Sequence, residues 1–107
     1  MLRDYAEMLN EKQKKSLRKL AHSLKPVVML GNAGLTSGVL GALDEALLKH
    51  ELVKVKVASG DRNERDQIIQ DMLKNSDAEL IQRIGNIATL YRCNPEKPVI
   101  DIQTSTR

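Results

Sequence analysis

A chain of 107 residues, 41% hydrophobic and with a net charge of +3, holds enough apolar material for one domain with one core and too little for two. The single cysteine, Cys93, excludes an internal disulfide, and only two aromatic residues, Tyr5 and Tyr91, argue against stacking bases on an aromatic sheet or groove. No apolar run is long enough to cross a bilayer and "MLRDYAEMLNEKQ" lacks the pattern of a signal peptide, so the expected setting is a soluble protein of the reducing cytoplasm.

The first predicted element is an amphipathic helix over residues 10–24. At about 100° per residue, Leu9, Leu17, Leu20, Ala21 and Leu24 share one arc, with Lys12, Lys14, Lys15, Arg18, Lys19 and His22 opposite. No acid interrupts the basic run from Lys12 to Lys25, whereas Asp44, Glu45, Glu51, Asp61, Glu64, Asp66 and Asp71 lie later in the chain. Such clustering makes a local positive field on a nearly neutral molecule. Pro26 ends the helix by pushing its predecessor toward extended geometry.

"VVML" (27–30) is a continuous apolar run and predicts a central strand buried on both faces. "GNAGL" is a turn, after which Thr36 or Ser37 can cap a helix over 36–49 that buries Val39, Leu40, Leu43, Ala46 and Leu47. "LVKVKVA" alternates, with Val53, Val55 and Val57 on one face and Lys54 and Lys56 on the other. After the loop "SGDRN", Asn63 is the expected cap of a third helix from Glu64 to about Lys74, held by Ile68, Ile69, Met72 and Leu73. "AELIQRI" and "IATLYR" predict two strands joined by Gly85-Asn86 as a two-residue hairpin, and "VIDI" is a possible further strand. The order α-β-α-β-α-β-β gives one α/β (α+β) domain with a small four-stranded mixed sheet. Residues 1–94 are expected to form the domain and 95–107 a polar tail.

Candidate chemistry is sparse. His22, His50 and Cys93 lie far apart with no metal-ligand spacing, so no metal or cofactor is expected. Cys93 has Arg92 beside it but no histidine near it, and Asp44-Glu45 diverge by about 100° on a helix, so neither a nucleophile nor an acid dyad is assembled. The glycine segment lacks both the Walker A ending and the GxGxxG spacing. What remains is Gly31-Asn32-Ala33-Gly34 between a strand and a helix start. That position suits an anion, because glycine permits close approach and N–H groups face outward; taken alone, plain turn chemistry is the commoner use of an isolated G-x-x-G. Lys54 with Lys56, and Arg62 with Arg65, add smaller basic groups, and several signals of one kind favour a phosphate-bearing polymer.

Together, "KQKKSLRKLAHSLKPVVMLGNAGLTSGVLGALDEALLKHELVKVKV", the following "D-R" loop and "QRIGNIATLYR" resemble the CRM domain in its stand-alone bacterial form, the YhbY family, over residues 10–92. The resemblance implies a fold similar to the C-terminal domain of translation initiation factor three. It also implies RNA binding without catalysis and, in bacteria, a role in large-subunit ribosome assembly on ribosomal RNA or its precursor particle; a monomer is expected. Carried onto this chain, the candidate RNA contacts are Gly31, Asn32, Ala33 and Gly34 in the loop. The accompanying basic residues are Lys12, Lys15, Arg18, Lys19, His22 and Lys25, with Lys54 and Lys56 on the sheet. Loops of this type frequently hold a lysine or arginine between the glycines; with Asn32 and Ala33 there, the charge must come from elsewhere. The alternative is a protein–protein adaptor using the apolar surface near Leu35 and the second helix.

Overall fold

Asn10 opens the first described helix, α1 (Glu11–Ala21), with a capping box: its side chain accepts from the Gln13 N–H at 2.8 Å, and its own N–H donates to Gln13 Oε1 at 2.9 Å. The computed structural model describes residues 9–58 and 60–100. α1 ends earlier than its apolar arc suggests. His22 N–H donates to Lys19 O at 3.3 Å and Leu24 N–H to Ala21 O at 2.9 Å, so the chain tightens into shorter-range turns before Pro26. Leu24, beyond the helix, and Leu20, within it, are both expected in the core but are exposed, while Leu17 and Ala21 are buried.

The elements that follow are β1 (Pro26–Leu30), α2 (Ser37–His50), β2 (Leu52–Val57), α3 (Arg62–Ser76), β3 (Glu79–Ile84) and β4 (Ile87–Tyr91). The sheet order is β1-β2-β4-β3, with β1 parallel to β2 and the other pairs antiparallel. β1 is thus an edge strand, which corrects the expectation of a central one. Val28 and Leu30 are buried, but Val27 and Met29 are 56% and 62% exposed on the other face. An uninterrupted apolar run fits either position; the strand order decides it.

α2 and α3 cover one face of the sheet. Their Leu43, Leu47, Ile69 and Met72 pack with Val28, Leu30, Val53, Val55, Val57, Ala88 and Leu90 in the main core. α1 covers part of the other face, where Leu17 and Ala21 meet Leu52, Ile81 and Tyr91. The alternation in β2 holds, since Lys54 and Lys56 are half-buried on the α1 face while the three valines enter the main core.

Thr36 caps α2, its hydroxyl accepting from Val39 N–H at 3.1 Å. α3 starts earlier than expected and is capped by Asp61, not Asn63. The Asp61 carboxylate accepts from Glu64 N–H at 2.9 Å, and Glu64 Oε1 accepts from Asp61 N–H at 3.0 Å. Gly60 before it has φ +79, and a Cβ there would lie 2.8 Å from that of Glu64, so only glycine fits. The β3–β4 hairpin turns at Gly85-Asn86 as expected, with Gly85 at φ +60. Val99 and Ile100 form no strand; the rest of "VIDI" lies outside the described residues.

Candidate nucleic-acid interface

Because β1 and β2 run parallel and β4 antiparallel to them, three connections converge at one end of the sheet. They are the GNAG segment after β1, the loop from β2 into α3, and the β3–β4 turn. Val57 N–H donates to Asn86 O at 2.7 Å and Ala58 N–H to Leu30 O at 2.9 Å, tying them together. This is the loop end; the opposite, tail end holds Glu51 and Arg92.

GNAG is a tight turn closed by Gly34 N–H donating to Gly31 O at 3.0 Å. Gly34 has φ +72, which a side chain would strain, and a Cβ at either glycine would meet nothing within 4 Å. Gly31, Asn32 and Ala33 are exposed, and the Asn32 and Ala33 N–H groups have no partner among the described residues. The turn is uncharged main chain open to a ligand, with the start of α2 behind it. Gly38 and Gly41 in α2 are exposed. A Cβ at Gly41 would meet nothing within 4 Å, and one at Gly38 only its helix cap, Thr36 Oγ1, at 3.8 Å.

The basic residues are spread over the molecule. Lys12, Lys15, Lys19, His22 and Lys25 are exposed and Arg18 is half-buried. Lys14, grouped with them by periodicity, turns toward the sheet and pairs with Glu79 at 3.4 Å. α1 is seated on Leu52, Ile81 and Tyr91, toward the tail end, and the five steps from Leu52 to Val57 put the loop end roughly 17 Å away. Lys54 and Lys56 stand between, Lys56 level with Met29 and Ile87. The GNAG turn and the α1 lysines therefore lie toward opposite ends of the sheet and do not meet.

At the tail end the chain uses its polar groups on itself. Glu51 is fully buried with φ +64; its Oε2 accepts from Asn94 N–H at 2.6 Å, and its Oε1 from Val99 and Ile100 N–H at 2.8 and 2.7 Å. Arg92 donates to Ser76 O at 2.9 Å and Asp44 O at 3.2 Å, and pairs with the Asp44 carboxylate at 2.9 Å. Arg92, directly after β4, is thus a clamp between that strand and both helices of the main core.

Arg83 is no candidate from sequence, yet β3 carries it to the loop end beside Arg62 and Arg65. It pairs there with Asp66 and donates from Nε to Gly85 O at 3.2 Å. The Arg83 hydrogen bond, reinforced by the charges of Arg83, Arg62 and Arg65, holds the Asp66 carboxyl below its ordinary 3.8 against a desolvation effect of opposite sign. Arg62 and Arg65 are visible as a pair in sequence; the pairing of β3 with β4 that adds Arg83 is not. Among the described residues no group of His, Cys, Asp and Glu could hold a metal ion, and no helix is long and apolar enough to cross a membrane.

The CRS1 / YhbY (CRM) domain model matches residues 9–92, spanning every described helix and strand. The chain belongs to the CRM domain family. An RNA-binding protein of Haemophilus influenzae is 48% identical to this CRM protein over 91 residues, covering 85% of the chain and 92% of the relative. A Bacillus subtilis relative named a probable RNA-binding protein, YqeI, is 34% identical over 95 residues, covering 89% and 99%. The solution structure of a hypothetical protein from Staphylococcus aureus superposes with a TM-score of 0.74 at 31% identity, covering 88% of this chain and 98% of that one. The shared fold is a single small α+β domain, with three helices and a four-stranded mixed sheet among the described residues of this chain.

Proposed function

We propose that this CRM protein binds structured RNA, in particular ribosomal RNA of the large subunit or its precursor particle. It acts there in subunit assembly as a cytoplasmic monomer, without catalysing a reaction. One observation carries the reading: an exposed glycine turn presents the unpartnered Asn32 and Ala33 N–H groups at the end of a sheet with lysines on its face. Main-chain N–H groups with room in front of them suit a phosphate oxygen, and the surrounding lysines and arginines supply attraction. The names of the relatives support RNA as the partner, and the ribosomal assignment rests on the motif order shared with the stand-alone bacterial form. Contacts at Gly31, Asn32, Ala33 and Gly34 fix the backbone, while Lys12, Lys15, Arg18, Lys19, His22, Lys25, Lys54 and Lys56 add charge.

The adaptor alternative has less behind it. Leu35 packs against the main core, which leaves Leu48 as the large apolar side chain that α2 exposes. Substituting both Asn32→Asp and Ala33→Asp introduces like charge at exposed positions and is expected to weaken RNA binding by about tenfold or more with the fold retained. Unchanged affinity in the folded variant removes the turn from the site. Crosslinking in cells followed by sequencing of the attached RNA tests the ribosomal part; recovery of RNA without large-subunit sequences overturns it.

A further inference from the structure

Arg62, Arg65, Arg83, Gly85 and Asn86 line an open cleft of about 550 Å³ at the loop end. Arg83 pairs with Ala88 in the sheet register, and Ala88 faces the main core, so the cleft opens on the α2–α3 side. The GNAG turn leads directly into α2 on that same side, whereas the α1 lysines lie on the other. Between turn and cleft lie the three strand spacings from β1 to β3, roughly 14 Å.

The acids of this corner are already engaged. Asp61 and Glu64 form the capping box of α3, and Asp66 pairs with Arg83. Arg65 donates from Nη1 to Gly60 O at 2.7 Å, but its buried Nε has no hydrogen-bond partner. Arg62 is exposed and has no ion pair among the described residues. Three arginines lining a cleft beside an open glycine supply the kind of guanidinium fork by which arginine holds phosphate oxygens. A Cβ at Gly85 would meet nothing within 4 Å, so a ligand has room to enter.

We propose that this cleft is a second phosphate site, which grips the RNA backbone after it passes the GNAG turn, so that one strand crosses the loop end from β1 to β3. The proposal rests on the RNA-binding reading above and adds residues to it. Its test uses the full chain and a fluorescein-labelled synthetic RNA stem-loop, titrated at 50 and 200 mM salt, with thermal unfolding run on each variant. Arg62→Ala leaves one phosphate without its cation and is expected to shrink the affinity drop between those salts by about threefold. Arg62→Lys should keep the drop, and Arg62→Glu should weaken binding further. Lys49→Glu, the same charge change at the exposed far end of α2, controls for net charge. Wild-type binding by Arg62→Ala and Arg62→Glu, or an equal loss in Lys49→Glu, overturns the cleft. If that result comes with a binding defect in the Asn32→Asp, Ala33→Asp variant, the turn stands without the cleft. A wild-type protein that ignores the RNA overturns the RNA reading and the cleft with it.

Discussion

The two ends of the sheet use similar materials for opposite purposes. At the tail end a buried carboxylate, a left-handed non-glycine residue and an arginine are locked by partners within the chain. Glu51 collects three main-chain N–H groups, and Arg92 joins Asp44 to the end of α3. At the loop end, the main-chain N–H groups of Asn32 and Ala33 and the exposed Arg62 side chain face open space, with no ion pair for Arg62 among the described residues. Polar groups satisfied from within hold a fold together; those left open are available to something outside it. Substitutions at the tail end should therefore cost stability, and those at the loop end should cost binding.

The largest effect is expected from Glu51→Ala. It strips a fully buried acceptor from three N–H groups, and the loss should be about 3 kcal/mol in urea unfolding. RNA affinity measured where the variant is still folded should hold. A binding defect under those conditions would break the division between the ends. Arg92→Ala follows at about 2 kcal/mol, since the half-buried guanidinium has two carbonyls and a carboxylate as partners. A loss below about 0.5 kcal/mol, the range of ordinary surface changes, would mean that the clamp is ornamental.

The two ends are not equally legible in the sequence, and the reason is physical. The GNAG turn, the Gly85-Asn86 hairpin, the Thr36 cap and the alternation of β2 are local signals, and each is found where the sequence puts it. The Asp61–Glu64 capping box is also local, in "DRNE", but Asn63 has the same propensity and competes with it. What stays hidden depends on partners distant in sequence. Nothing near Glu51 announces that Val99 and Ile100 will return to it 48 and 49 residues later. Equally, "VVML" cannot reveal that β1 has one neighbour, and Arg83 joins Arg62 and Arg65 only through strand pairing.

A third change asks how far the interface extends from the loop end. Replacing Lys15, Arg18 and Lys19 by alanine removes charge from a helix seated toward the tail end, on the face opposite the arginine cleft. If RNA wraps across the sheet past Lys54 and Lys56, the salt dependence should fall by about one unit of slope for each phosphate no longer neutralised. An unaltered slope would confine the site to the loop end.

The smallest effect belongs to Asp66, whose role joins both kinds of behaviour. Its carboxyl is held below 3.8 by Arg83, so folding favours the ionised form. The resulting stabilisation is present in full above the ordinary value and is lost as pH falls from there through the lowered one. Asp66→Asn should thus remove a slight advantage at pH 7 and leave none to lose in acid, so the gap between the two proteins in urea unfolding closes on acidification. In RNA binding the same substitution acts in the opposite direction. It releases Arg83 from its counter-charge beside Arg62 and Arg65, and affinity should rise by about threefold at low salt, as for one further phosphate neutralised. Tighter binding from a less stable protein would mark Asp66 as a brake on the arginine cleft, whereas weaker binding would show that the ion pair is needed to aim Arg83.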